Sequence, residues 1–339
     1  MPELRDRFRG CLLGGALGDA LGASVEFLSL TEIRNRYGPG GLRELAPAYG
    51  RVGALTDDTQ MTLFTAEGLI RAWDRGSERG IWDPATMVHE AYLRWLKTQG
   101  ERSAHPLFDP AASTGLAGVP ELNSRRAPGG TCLGALHSPV AGTRQEPLND
   151  SKGCGGIMRV APVGLAFADA FALGCDTAAL THGHPSGYLA AGHFAQVIAD
   201  VTRGATLRDA VAHATELLRA EPDHGETLRA VERAVALTEF GAPTAEKLET
   251  LGEGWVAEEA LAIALYCALT AEDFRAALVL AVNHSGDSDS TGSLVGNLLG
   301  ALWGEAALPA DWLAQLELRE VIAELAGQLH ARFAQEETA

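Results

Sequence analysis

The chain has 339 residues, 46% of them apolar, which permits one large domain or two small domains with a substantial core. Its formal net charge of -17 argues against non-specific binding to a nucleic-acid backbone and repels polyanionic ligands at long range. A phosphate-bearing ligand would therefore need local compensation by metal ions or by backbone N–H groups.

The five cysteines are scattered, odd in number and form no C-x-x-C pair, which argues against a disulfide framework and a zinc ribbon. A reducing cytosol fits this cysteine usage, so we expect a cytoplasmic protein. The first residues lead into no apolar signal core, and no uncharged apolar stretch of about 18 residues predicts a membrane span.

Near the N-terminus, glycine recurs at every fourth position, which places these residues on one helix face where close packing is possible: Gly10, Gly14, Gly18 and Gly22. No strand pattern precedes them, so the segment is not a dinucleotide-binding loop. Asp19 either faces a polar cluster or is a plain buried polar residue. Glu26, between apolar neighbours, is either an exposed residue at a helix end or an acid of the site.

Apolar residues at helical spacing predict helices over most of the remaining chain: 59–73, 85–97, 187–202, 206–220, 225–239, 257–269, 273–282, 291–303 and 315–333. Alternating strand patterns are nearly absent, so we expect an all-α fold. Glycine and proline are concentrated in residues 36–55 and 100–156, which predicts loops there. Without a clear linker or an internal repeat, residues 1–339 are interpreted as a single domain.

Two aspartate clusters each precede a predicted helix: Thr56-Asp57-Asp58-Thr59 and Asp287-Ser288-Asp289-Ser290. Either cluster alone is equally typical of a helix cap, because threonine, serine and aspartate all cap helices well. A cap needs only one oxygen, however, and adjacent carboxylates repel each other unless a cation lies between them. The second cluster is not an EF-hand, because loop position 12 would be Leu298 rather than glutamate.

Together the clusters offer only hard oxygen donors, which suit Mg²⁺, Mn²⁺ or Ca²⁺ and not Zn²⁺. Two such ions could bind a diol or a phosphate and lower the pKa of a bound water. The sequence therefore favours a metal site assembled from both clusters.

A glycine-rich segment, residues 149–159, leads into apolar sequence and could present backbone N–H groups to an anion. A flexible connection is the alternative, but Lys152 and Arg159 add positive charge in an acidic protein. His182 and His184 open the next predicted helix. For a site of hard oxygen ligands, we expect His182 to contact the ligand rather than the metal.

In order, five motifs resemble the ADP-ribosylglycohydrolase family from about Phe8 to about Gly304: Gly-Ala-Leu-Gly-Asp-Ala-Leu-Gly with Glu26, Leu-Thr-Asp-Asp-Thr, Gly-Cys-Gly-Gly-Ile-Met-Arg-Val-Ala-Pro, Thr-His-Gly-His-Pro and Gly-Asp-Ser-Asp-Ser-Thr-Gly. The resemblance implies a compact, orthogonal multi-helix all-α domain with a dinuclear centre of two Mg²⁺ or Mn²⁺ ions. The metal ligands that it implies are Thr56, Asp57, Asp58, Asp287, Asp289 and Ser290. Family members usually have threonine directly after the second aspartate, so Ser290 and Thr291 are both candidates for the last ligand.

Further roles follow from the same resemblance. Glu26 and Asp150 are the candidate catalytic acids, and the expected ligand-binding residues are Ser151, Gly153, Cys154, Gly155 and His182. The implied reaction releases ADP-ribose from a modified protein or small-molecule acceptor, with arginine as the first choice of acceptor. We expect a monomer with no membrane partner, and nucleic acid only as a modified substrate.

Three other interpretations remain open from the sequence. The chain could hydrolyse another ADP-ribose ester, an O-glycoside or a nucleotide, or it could bind ADP-ribose without catalysis. Retention of all four cluster aspartates favours an enzyme. A Mg²⁺-dependent phosphotransferase is disfavoured, because no G-x-x-x-x-G-K-[ST] loop is present. Acceptor choice would depend on the loops at residues 36–52 and 101–148.

Overall fold

The computed structural model describes residues 2–334, and this part of the chain contains sixteen α-helices and one short hairpin. The helices are α1 Leu4–Gly22, α2 Leu30–Tyr37, α3 Asp57–Arg79, α4 Pro84–Thr98, α5 Gly130–Leu136, α6 Ala161–Ala166, α7 Phe171–Ala179, α8 Pro185–Thr202, α9 Leu207–Ala220, α10 Gly225–Leu237, α11 Ala245–Glu249, α12 Ala257–Leu269, α13 Phe274–Val282, α14 Ser288–Trp303, α15 Ala310–Leu313 and α16 Arg319–Phe333. The hairpin pairs β1 Pro47–Ala48 with β2 Arg51–Val52. The predicted all-α fold is confirmed.

Most predicted helices agree with the structure, but the stretch predicted over 315–333 does not form one helix. Leu318 adopts a left-handed backbone conformation with φ 56°, so α16 begins only at Arg319. The predicted loops also carry some structure. The hairpin lies in the first, and α5 with three short 3₁₀ turns lies in the second. The predicted domain of residues 1–339 includes Met1 and residues 335–339, which lie outside the described residues.

Glycine brings the N-terminal helix against α14. A Cβ atom on Gly10 would lie 2.3 Å from the carbonyl oxygen of Gly300, and one on Gly14 would lie equally close to that of Gly296. Such separations leave no room for a side chain, so the two helix backbones are in direct contact. The predicted close-packing face is thus present. It places the end of α1 beside the start of α14, where the second aspartate cluster lies.

Asp19 fixes the start of α3 against the same helix pair. Its carboxylate accepts hydrogen bonds from the backbone N–H groups of Thr56 and Thr59 at 3.0–3.1 Å, and from the Thr59 hydroxyl. From the other side, buried Glu317 accepts from the N–H of Leu55 at 3.1 Å. The N-termini of α3 and α14 therefore converge at the end of α1.

Around this meeting point, α8, α12 and α14 are buried along almost their whole length and form the centre of the core. Alanine and glycine allow these helices to approach closely. None of the helices in residues 2–334 is both long enough and apolar enough to span a membrane.

Candidate metal and ligand site

One cavity of about 230 Å³ is lined by residues from both aspartate clusters, by the glycine segment and by His182. Asp57 and Asp58 line it from α3, while Asp287, Asp289 and Ser290 line it from the start of α14. Glu26 also faces this cavity. The structure therefore brings together groups that are more than 200 residues apart in sequence.

In the first cluster, the helix cap and the unpartnered carboxylate oxygen belong to different residues. Thr56 is the N-cap of α3, and its hydroxyl accepts from the N–H of Asp58 at 3.3 Å. Asp57 Oδ2 accepts from the N–H of Gly129 at 3.1 Å. Asp58 Oδ1 is buried and has no hydrogen-bond partner within residues 2–334. The helix is capped without Asp58, so this oxygen is available to a cation. Thr56 is fully buried and is not among the residues that line the cavity.

In the second cluster, Asp287 is the N-cap of α14, and Asp289 Oδ1 accepts from the N–H of Ser290 at 3.0 Å. Carboxylate oxygens of Glu26, Asp287 and Asp289 all lie within 4.8 Å of one another. This spacing is short enough for three carboxylates to share one cation.

Between the two hydroxyls that could complete the second cluster, the structure favours Ser290. Ser290 lines the cavity. The Thr291 hydroxyl instead lies 2.9 Å from His284 Nε2 and 2.9 Å from the carbonyl oxygens of Ala281 and Asp287. Thr291 therefore supports the turn behind the cluster.

Burial and mutual repulsion raise the pKa of the carboxyl groups in this region. Desolvation and the nearby Asp289 raise the pKa of Asp19 to about 7, and desolvation followed by Asp289 and Asp287 raises that of Glu26 to about 10. Desolvation also raises the pKa values of Asp57, Asp58 and Asp287 well above their usual range. Several buried acids without a neighbouring cation are costly. The donor set therefore fits hard divalent ions.

His182 also lines the cavity, and its protonation follows from its neighbours. Arg159 can only donate, and its Nη2 donates to the Thr181 hydroxyl at 2.6 Å. The Thr181 hydroxyl lies 2.8 Å from His182 Nδ1 and so donates its own hydrogen there. Nε2 then carries the ring hydrogen. Burial, with a smaller effect of Arg159, lowers the pKa of His182 to about 3, so the ring is a neutral donor.

The glycine segment reaches the cavity through Gly153, Cys154 and Gly155. A Cβ on Gly155 would lie 2.8 Å from the His182 ring, so glycine is needed for this approach. The N–H of Cys154 donates to the carbonyl oxygen of Trp255 at 3.1 Å, and its thiol donates to Asp287 Oδ2 at 2.7 Å. Cys154 thus connects the segment to the second cluster.

Besides Thr56, two predicted residues do not line this cavity. The Ser151 hydroxyl accepts from the N–H of Gly153 at 3.3 Å and contacts the hydroxyl of Thr131, a lining residue, at 3.2 Å. Asp150 is exposed and is not among the lining residues. The adjacent Asn149 holds the turn by accepting from the N–H groups of Ser151 and Gly183, so that Asp150 lies outside the site.

Two aromatic residues at the cavity, Phe27 and Trp255, were not expected from the sequence. Their positions depend on contacts between distant segments, and no local pattern marks them.

A family model described as ADP-ribosylglycohydrolase matches residues 1–339. The chain belongs to the ADP-ribosylglycohydrolase family. The predicted family and the glycohydrolase class are thereby confirmed.

Individual relatives agree with this assignment. The chain is 27% identical to ADP-ribosyl-[dinitrogen reductase] glycohydrolase of Rhodospirillum rubrum over 94% of its own length and 92% of that protein. It is 27% identical to ADP-ribosylarginine hydrolase Tri1 of Serratia proteamaculans (strain 568), over 96% of the chain and 80% of the relative. A solved structure described as an ADP-ribosylglycohydrolase-related protein complex is 30% identical, with a TM-score of 0.68 and coverage of 98% and 99%.

Proposed function

We propose that this protein hydrolyses the bond between ADP-ribose and a modified acceptor with the help of two Mg²⁺ or Mn²⁺ ions. The observation that carries the proposal is the convergence of both aspartate clusters and Glu26 on one cavity. The proposed metal ligands are Thr56, Asp57, Asp58, Asp287, Asp289 and Ser290. When bound, the ions would polarise sugar hydroxyls or a water molecule in the cavity.

The chain itself supplies binding and proton transfer. His182, Gly153 and Gly155 line the cavity, where the Nε2–H of the histidine and backbone N–H groups can hold the phosphates or ribose oxygens of ADP-ribose. Hydrolysis breaks the bond from the anomeric carbon to the acceptor, adds a water oxygen to that carbon and returns a proton to the acceptor. Glu26 is the residue that we assign to the proton, because its buried Oε2 has no partner among the described residues.

Arginine is the acceptor that we propose, with the modified residue in a protein or a small molecule. The name of the Serratia relative supports this choice. The net charge of -17 also supports it, since an acidic surface attracts a positively charged guanidinium group and its surrounding basic sequence. We further propose that the protein acts as a monomer.

The test measures release of ADP-ribose from arginine-linked, serine-linked and DNA-linked substrates, first with Mg²⁺ or Mn²⁺ and then with a chelator. We expect release from the arginine-linked substrate and its loss on chelation. Asp289→Ala should lose both activity and bound metal, while Asp169→Ala, an exposed aspartate away from the cavity, serves as the matched control. Full activity of Asp289→Ala with both ions retained would contradict the proposal.

A further inference from the structure

Phe27 is placed where an aromatic residue is unfavourable for folding. Its side chain is 68% exposed, and its backbone has φ 69°, which is rare for a bulky residue. It follows Glu26 directly and lines the same cavity. Backbone strain at a site and an exposed apolar ring both cost stability, and such costs are typical of ligand-binding positions.

Trp255 stacks on Phe27, with ring centroids 5.4 Å apart and ring planes inclined by 20°. The tryptophan is held by backbone contacts to the aspartate site. Its carbonyl oxygen accepts from Cys154, and the carbonyl oxygen of neighbouring Glu253 accepts from the N–H of Asp287 at 2.8 Å. The aromatic pair is therefore fixed relative to the carboxylates, although both rings reach solvent.

We propose that the Phe27–Trp255 pair binds the guanidinium group of the ADP-ribosylated arginine, an inference that rests on the proposed function. Trp255 covers one face of the Phe27 ring, and the large exposed fraction leaves the other face open to a planar cation. Guanidinium groups stack on aromatic faces and are attracted to the ring electrons. The exposed carboxylate of Glu253, two residues before Trp255, adds negative charge next to the pair in sequence.

Adenine is the other planar group in the substrate, but position argues against it. Phe27 is adjacent to Glu26, the residue assigned to proton transfer at the scissile bond. The group bonded to the anomeric carbon is the acceptor, whereas a diphosphate and a second ribose separate adenine from that carbon. A ring beside Glu26 is therefore on the acceptor side of the bond.

The experiment compares hydrolysis of an ADP-ribosylated arginine peptide by the wild type and by Phe27→Ala, Phe27→Leu and Trp255→Phe. Phe240→Ala is the matched control, because Phe240 is equally exposed at 69% and does not line the cavity. Inhibition by free ADP-ribose is measured for each variant, and melting temperatures confirm folding. Loss of one stacked cation should raise KM by roughly 3- to 30-fold.

We expect this rise in KM for Phe27→Ala and Phe27→Leu, with an unchanged inhibition constant for ADP-ribose. Trp255→Phe keeps an aromatic ring beside Phe27 and should raise KM less than Phe27→Ala does, whereas Phe240→Ala should resemble the wild type. An unchanged KM in Phe27→Ala, or wild-type behaviour of Phe27→Leu, would overturn the inference. Parallel weakening of ADP-ribose inhibition would also overturn it, because the ring would then bind the nucleotide. If the wild type cleaves no arginine-linked substrate, the proposed function fails, and this inference fails with it.

Discussion

Gly18 and Gly292 face each other across α1 and α14 with no space between their backbones. A Cβ atom on Gly18 would lie 1.9 Å from the carbonyl oxygen of Gly292, and one on Gly292 would lie 2.5 Å from that of Gly18. This contact is next to Asp19 on one helix and close to Asp289 on the other. The separation of these helices therefore sets the distance between the segments that carry the candidate site.

Gly18→Ala should consequently destabilise the protein and disturb the site together. The added methyl group forces the helices apart, and overpacking of this kind costs about 1–3 kcal/mol. Gly327→Ala in α16 is the control, because nothing lies within 4 Å of its added Cβ, and alanine should there add about 0.5–1 kcal/mol of stability. Urea unfolding measures the stability change in each of the two variants. Equal stability of the two variants would contradict a rigid helix contact.

Some of this arrangement could be predicted from the sequence. Four-residue spacing of glycines indicates a close helix contact, and the two aspartate clusters each precede an apolar helix. The partner of the glycine face could not be predicted, because its contacts in α14 are 266 to 290 residues away in sequence. Three further contacts join segments whose pairing no local pattern indicates: Asp19 with the start of α3, Asn149 with Gly183, and Phe27 with Trp255.

Without divalent ions, the free energy of unfolding of the protein should decrease as the pH rises above neutrality. The folded-state pKa values of Asp19 and Glu26 are raised to about 7 and about 10, so the folded protein retains protons that the unfolded chain releases. Their favourable contribution is present below the unfolded pKa of about 4 and is lost as the pH rises through the folded values. A bound cation would compensate the ionised carboxylates.

Thermal unfolding with a chelator and then with Mg²⁺ or Mn²⁺ tests this expectation between about pH 7 and pH 9. The stabilisation by metal should grow with pH, because ion binding requires the ionised carboxylates. Asp289→Asn should reduce the stabilisation by metal. Stabilisation by metal that is independent of pH would argue against binding at this cluster.

Acid should destabilise the protein through its buried histidines, and His193 allows one of them to be tested away from the site. Burial lowers the pKa of His193 to about 3, and its Nε2 contacts the Thr215 hydroxyl at 3.2 Å. As the pH falls, this histidine is therefore protonated in the unfolded chain at a higher pH than in the folded protein. Stability is lost as the pH falls from about 6.5 towards 3.

His193→Gln removes this linkage and should reduce the dependence of unfolding free energy on pH by up to about 1.4 kcal/mol per pH unit. Urea unfolding at about pH 7.5 and pH 5 measures the difference. Burial likewise lowers the pKa values of His89 and His284 to about 4, so the variant should keep some acid sensitivity. If the variant and the wild type showed the same pH dependence of stability, the pKa of His193 would be equal in the folded and unfolded states, and the expectation would be wrong.

The two candidate acids should differ sharply in their effect on catalysis. Glu26→Gln keeps the shape and one oxygen of a side chain that faces the cavity but removes its ability to transfer a proton, so kcat should fall by about 10²–10⁴-fold. Asp150→Ala changes an exposed side chain and should retain near wild-type activity. Metal content, measured alongside ADP-ribose release, separates proton transfer by Glu26 from a contribution to ion binding. The opposite result, an active Glu26→Gln and an inactive Asp150→Ala with metal retained, would transfer the proton role to Asp150 and require residues 149–151 to move towards the cavity when substrate binds.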